Sequence, residues 1–195
     1  MSEHAPGQLP LLTERLELRD FRDGDVGFVH AWASDPEVVN FMAWGPNTVE
    51  QTREFLQRKF AERTGEPRLT WDLAVVEACT GRLIGSVGLR LDGARQQAAL
   101  GYCYHQDAWG QGFATEAALA MLRFGFEQLS LHRIYASADT RNGASIRVLD
   151  KIGMRQEGRL RQHVLIRGEW RDSYLYAILH HEWIEQTAVR GERHE

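Results

Sequence analysis

Only two cysteines, Cys79 and Cys103, stand in the 195 residues, and their separation fits neither a disulfide framework nor a metal-ligand pair. A cysteine-stapled or zinc-built domain is thereby excluded. A reducing compartment is the natural setting, no metal is expected, and Cys103, inside a strand pattern, reads as a small core residue. No apolar run approaches the roughly 20 residues that cross a bilayer, and the first ten residues lack the basic-then-apolar order of a signal peptide. The expectation is a cytoplasmic protein with no membrane partner. Excess positive charge is also missing: 23 Lys+Arg against 27 Asp+Glu give −4. Nucleic acid as a partner has no electrostatic footprint at this balance, whereas a cationic small substrate is compatible with it. Repeats, low-complexity blocks and a linker long enough to split the chain are absent as well. With 43% hydrophobic residues, the composition is that of one domain with a sizeable core.

The residues present organise as follows. Residues 1–10, with Pro6, Gly7 and Pro10, read as a loose tail, residues 11–185 as the single domain, and 186–195 as a polar, frayed tail. A strand is predicted over Leu16 to Phe21. A helix carrying Val26, Val29, His30 and Ala33 follows the starts offered by Asp23 and Asp25 and stops near Asp35-Pro36, with His30 read as a packed histidine. An irregular stretch from Val38 to Thr48, rich in Phe41, Met42 and Trp44, is a candidate substrate-facing lip or a packing loop. Thr48 and Gln51 form a capping box for a helix ending near Arg63. Alternating patterns at Leu69–Val75, Arg82–Leu89 and Ala98–Tyr104 then predict a three-strand meander.

The meander delivers the chain to Trp109-Gly110-Gln111-Gly112-Phe113-Ala114, after which apolar residues recur at helical spacing as far as Leu129. Two glycines flanking Gln111 free the backbone from Cβ constraints. The first N–H groups of a helix have no partner inside it and sit at the positive end of its dipole. A phosphate or pyrophosphate suits such a place; a tight entry turn with no ligand is the plain alternative. The turn is not a P-loop, since no Gly-Lys-Ser/Thr follows, and not a dinucleotide fingerprint, since Thr115 stands at the third glycine. A strand over Arg133–Ala138 should lie parallel to the strand before the helix, completing a right-handed β–α–β unit. Asn142 is placed to cap a helix with Ile146, Leu149 and Ile152 inward and Gly153 at its end. A hairpin of Gly158–Arg167 and Trp170–Leu179, joined at Gly168-Glu169, closes the chain.

The turn resembles the acyl-CoA pyrophosphate loop of the GCN5-related N-acetyltransferases, the GNAT superfamily. It is similar above all to the RimJ/RimL branch of ribosomal-protein-alanine acetyltransferases, where Trp-Gly-x-Gly-Tyr/Phe-Ala-Thr-Glu-Ala is usual. Asn142-Gly143-Ala144-Ser145, followed by Gly153-Met154, is similar to the second motif of the family, and the likeness runs from Leu12-Thr13-Glu14-Arg15 to Gly168…Asp172…Tyr176. The resemblance implies an α+β fold: a mixed, mostly antiparallel sheet with one central, splayed parallel strand pair, flanked by helices. It also implies acetyl-CoA as co-substrate and a primary amine as acceptor, attacked directly through a tetrahedral intermediate; a homodimer is compatible with it.

By the same likeness, main chain around Cys103, Tyr104 and His105 would pair with the pantetheine, while N–H groups from Gly110 to Ala114, with Thr115 nearby, would hold the pyrophosphate. Trp109 and Asn142 have cofactor roles in the branch, though packing and plain helix capping account for them as well. Many relatives use a tyrosine as the acid that protonates the thiol, but its position here is Leu149, and the branch's serine falls on Ser145. The strand glutamate that serves many relatives as base is replaced by Ala98-Ala99. Tyr102, Glu17, His163 and Asp172 remain as contributors, with Trp44, His163 and Asp172 as acceptor-side candidates. An α-amine, with a pKa of about 7.7–8.0, is partly neutral near pH 7, whereas a lysine amine near 10.4 is not. A site without a strong base therefore favours a protein or peptide N-terminus. A small polyamine or aminoglycoside acceptor, and a CoA-binding sensor that has lost catalysis, are the alternatives.

Overall fold

The computed structural model describes residues 9–191. The loose-tail expectation for residues 1–8, like the last four residues, lies outside this range. Strands β1 (Leu11–Leu12) and β2 (Leu16–Arg19) form an opening hairpin, followed by helices α1 (Val26–Ala33) and α2 (Val49–Arg63). The meander is β3 (Thr70–Glu77), β4 (Leu83–Leu91) and β5 (Gln97–Tyr104). After it come α3 (Phe113–Arg123), β6 (Arg133–Asp139), α4 (Gly143–Lys151), β7 (Arg155–Ile166), β8 (Glu169–Leu179) and α5 (His180–Gly191). The eight strands make one sheet in the order β1-β2-β3-β4-β5-β6-β8-β7. Strands β5 and β6 run parallel, and the other neighbouring pairs are antiparallel.

Both faces of the sheet are covered, which is why β3 reads as a nearly continuous apolar run at Leu73–Val76 instead of alternating. One core contains Leu73, Val75 and Leu89 with Ala117, Met121 and Leu122 of α3 and Leu149 of α4. The other contains Ala74, Val76 and Cys103 with Val29 and Trp32 of α1 and Leu56 of α2. Thr48 caps α2 as its capping box predicts: its hydroxyl accepts from the Gln51 N–H and the Gln51 side chain answers to the Thr48 N–H.

Three elements depart from expectation. The two-residue strand β1 is too short to leave a periodic signal. The last turn before Leu129 widens into a π-helical segment, Phe124–Gln128, so α3 itself ends at Arg123. Residues 186–191, read as a frayed tail, belong to α5. That helix is docked through a few side chains: Trp183 is buried and stacks on Phe126 at 5.9 Å, and the Gln186 amide donates to the Gly153 carbonyl. Tertiary packing overrides a weak local pattern there. Among the described residues, no helix is long and apolar enough to cross a membrane.

Candidate active site

The β5–β6 pair separates early. Its register holds for Gln97↔Arg133, Ala98↔Ile134 and Ala99↔Tyr135 and then stops, so the strands diverge from Leu100 onward. The β4 side fixes which main-chain groups face the opening. His105 donates its N–H to Ile84 and Gln97 accepts from Asp92, each at 2.9 Å. Residues that exchange both bonds alternate along an antiparallel ladder. Ala99, Gly101 and Cys103 therefore spend their main-chain groups on β4, and His105 gives its N–H to β4 while its carbonyl accepts from the Ala108 N–H at 3.0 Å; Tyr102 and Tyr104 turn theirs toward the gap. This corrects the expectation for Cys103 and His105, whose peptide groups are committed elsewhere. The Tyr104 carbonyl already accepts from the Trp109 indole N–H at 3.0 Å. Gly85 makes room for the Tyr104 ring, since a Cβ there would stand 2.5 Å from it.

At the mouth of the gap the glycine turn feeds α3. Gly112 has φ +82°, a left-handed conformation that a side chain disfavours, and no side chain caps the helix start. The N–H groups there are thus left for an anion. The loop is braced from β2's side by Arg15. Its guanidinium donates to the Gln111 carbonyl at 3.0 Å, pairs with Glu116 at 2.6 Å and lies 4.6 Å from the centre of the Phe113 ring. Glu116 also accepts from the Thr13 hydroxyl at 2.6 Å and from the Arg15 N–H at 2.9 Å. Burial pushes the Glu116 carboxyl upward, but these bonds and the Arg15 charge together hold it below its ordinary value. A carboxylate in the first turn would repel an incoming phosphate, and Arg15 neutralises it.

Helix α4 forms the opposite wall. Asn142 caps it, its Oδ1 accepting from the Ser145 N–H at 3.1 Å. The Ser145 hydroxyl lies 2.8 Å from the Tyr102 phenol oxygen, and the phenol also reaches the Ser145 carbonyl at 3.2 Å. Burial pushes the Tyr102 phenol up to about 12 against the opposing bond to Ser145. Tyr102 therefore stays protonated near neutrality, where it can donate a hydrogen bond but cannot serve as a general base.

These parts enclose a cavity of about 320 Å³, in the range of small-molecule sites. It is lined by Tyr102, Cys103, Tyr104, Trp109, Gly110, Gly112, Ala114, Thr115, Asn142 and Ser145, all candidates from the sequence. His105, Gln111 and Phe113 are not in the lining: the His105 ring accepts from the Asp107 N–H, and Phe113 is core. The acceptor-side candidates fare worse. Trp44 is half-exposed on the lip without lining the cavity, although its neighbours Phe41 and Met42 do. His163 and Asp172 sit in a separate depression at an irregularity of β7 that shares no lining residue with the cavity. Asp172 is held low by the Gln162 N–H and by Arg159, 2.6 Å away. Glu17 stands on β2, 3.8 Å from Arg22, outside the lining. Missed by the sequence reading are Glu37, just before the lip, and Arg147 and Lys151 from the outward turns of α4. Their spacing, four apart on one helix face, was the available signal for the two cations.

A split parallel pair beside an uncapped, glycine-led helix fits an acyl-CoA, with amides along the gap and a diphosphate at the helix. The model of the acetyltransferase (GNAT) domain matches residues 15–155. The chain belongs to the GNAT acetyltransferases. YnaD of Bacillus subtilis, named as an uncharacterized N-acetyltransferase, is 33% identical over 174 residues, covering 89% of this chain and 98% of its own. The structure of a GNAT-family acetyltransferase from Bacillus anthracis superposes with a TM-score of 0.81 at 32% identity, over 89% of this chain and all of that one. The spermidine N(1)-acetyltransferase of Escherichia coli is 25% identical over 178 residues, 91% of this chain and 92% of its own. This GNAT protein is an acetyl-CoA-dependent N-acetyltransferase with the mixed, largely antiparallel sheet of that family.

Proposed function

We propose that the acceptor is the α-amine of a protein or peptide N-terminus, and that Ser145, oriented by Tyr102, assists departure of the CoA thiol. The observation that carries the second half is the 2.8 Å contact between the two hydroxyls inside the cavity. The phenol has one proton and two acceptors within reach. Given to Ser145 Oγ, the nearer, it leaves the Ser145 proton free to point at the sulfur or the developing oxyanion of a tetrahedral intermediate. Main-chain groups of Tyr102 and Tyr104 on the open edge of β5 would hold the pantetheine amides of an acyl-CoA, and the N–H groups after Gly112 would hold its diphosphate.

The α-amine follows from what the cavity lacks. Its lining includes one carboxylate among the described residues, Glu37, already accepting from the Gln106 amide at 2.7 Å. With no strong base at the reacting centre, a nucleophile that is partly neutral near pH 7 is favoured over a lysine side chain. The likeness of Trp109–Ala114 to the RimJ/RimL branch points the same way. A second reading, a polyamine or aminoglycoside acceptor, is favoured by the same Glu37, which can meet a cationic amine, and by the spermidine acetyltransferase relative. Reduced thiols, one exposed at Cys79 and one buried at Cys103, accord with a cytoplasmic enzyme.

Thiol release from acetyl-CoA, measured over N-terminal peptides, spermidine and an aminoglycoside, tests this. Peptides with free α-amines should turn over fastest. Turnover confined to spermidine would select the second reading.

A further inference from the structure

The lip between α1 and α2 contributes Val38, Phe41 and Met42 to the cavity, yet residues 38–47 contain no regular helix or strand. Its shape is held from outside, by the tip of the β7–β8 hairpin. Arg167 donates to the carbonyls of Val39 at 2.9 Å, Gly45 at 3.2 Å and Asn40 at 3.3 Å. Arg171 donates to the Asn40 carbonyl at 2.8 Å. The Val39 carbonyl also accepts from the Met42 N–H, so one acceptor joins the guanidinium to a cavity-lining residue. Arg171 is itself anchored, 3.0 Å from Glu169 and 3.7 Å from Asp139, whose carboxylate is buried at the end of β6.

The backbone adds a second observation. Arg167 and Gly168 occupy the hairpin turn with φ +48° and +81°. Two successive residues with positive φ are the pattern of a type I′ turn, whose first position favours Asn, Asp or Gly. Arginine is a poor choice for that backbone and a good one for a planar donor that must reach three carbonyls.

We propose that Arg167 and Arg171 are positioning residues that clamp the lip and so set the acceptor-side wall of the cavity, making acceptor affinity depend on a hairpin tip that does not line the cavity. This rests on the reading of the cavity as the acetyl-transfer site. Because Asn suits the turn better than Arg, Arg167→Asn removes three of the four clamp bonds, leaving that of Arg171, without weakening the hairpin.

Steady-state kinetics on the full chain tests the assignment, with a peptide acceptor and separately measured acetyl-CoA binding. Arg167→Asn should raise acceptor KM about fivefold to tenfold while donor Kd stays within about twofold and the melting temperature does not fall. Arg167→Lys, with a single ammonium, should fall between, and Arg167→Asn with Arg171→Gln should exceed either. Amide hydrogen exchange gives an acetylation-independent readout: exchange over residues 38–47 should accelerate in Arg167→Asn. Unchanged acceptor KM in a variant of an enzyme that turns over, or unchanged exchange in the lip, overturns the clamp. Failure of the wild-type enzyme to acetylate any amine while the lip loosens as expected would instead count against the acetyl-transfer reading.

Discussion

The two halves of the cavity are built from different materials. On the proposed donor side the groups on offer are main chain: the unpaired edge of β5, the Gly110–Gly112 turn and the uncapped start of α3. Nearby residues in sequence make these features, and one long-range brace, Arg15 to Glu116 and Gln111, steadies them. On the proposed acceptor side the wall is a loop without regular structure, held by guanidinium groups more than 120 residues away in the chain. Backbone recognition constrains sequence tightly, through glycine and helix register, and tolerates little change. Side-chain walls can be rebuilt residue by residue, which is how one fold accommodates different acceptors.

The largest expected effect breaks the donor half alone. Gly112→Asp forces a side chain into φ +82° and sets a negative charge against the phosphate site. Acetyl-CoA affinity by calorimetry should fall about 100-fold or more. Near-normal affinity would remove the turn from the donor site.

A smaller effect is expected where the halves meet. Ser145→Ala should lower kcat by about tenfold to a hundredfold, with acetyl-CoA Kd within about twofold. Tyr102→Phe should cost less, and the double variant should cost less than the product of the two, because Tyr102 acts through Ser145. Additive losses would mean that the phenol acts independently. Since burial pushes the Tyr102 phenol to about 12, an ionisation seen nearer neutrality in the rate profile belongs to another group and should persist in Tyr102→Phe.

The smallest effect is on the brace. The folded pKa of Glu116 lies below its ordinary 4.5, so its charge stabilises the fold above about that pH, and the contribution is lost as pH falls through the folded value. Glu116→Gln should lower the melting temperature by about 2–4 °C at pH 7. The gap should close on acidification below pH 4.5. A gap that persists in acid would mean that the effect is packing, not charge.

The same contrast explains what could be read before the fold was seen. Gly110 and Gly112, the Asn142 cap and the β3–β5 alternation are local constraints, so the turn, the helix start and the meander are legible in the residues themselves, whereas the splay of the β5–β6 pair and the choice of Ser145 come from the family resemblance. Trp44, His163 and Asp172 do not line the cavity, because their positions depend on how a loop and a bulged hairpin pack, and Asp172 is spent on Arg159 and the Gln162 N–H. The Tyr102–Ser145 contact joins residues 43 apart in sequence. The sequence leaves Tyr102 as one contributor among four, and its hydroxyl partner is set by the packing of α4. Helix α5 was missed for a related reason: Trp183 alone carries its burial into the main core.

The acceptor identity is tested most directly by competition. A peptide bearing both a free α-amine and an internal lysine, mixed with spermidine and acetyl-CoA, is analysed by mass spectrometry at early times. The expected product carries acetyl on the peptide α-amine, with the lysine and spermidine unmodified. Acetylation of spermidine or lysine, with the α-amine untouched, would contradict the proposed acceptor.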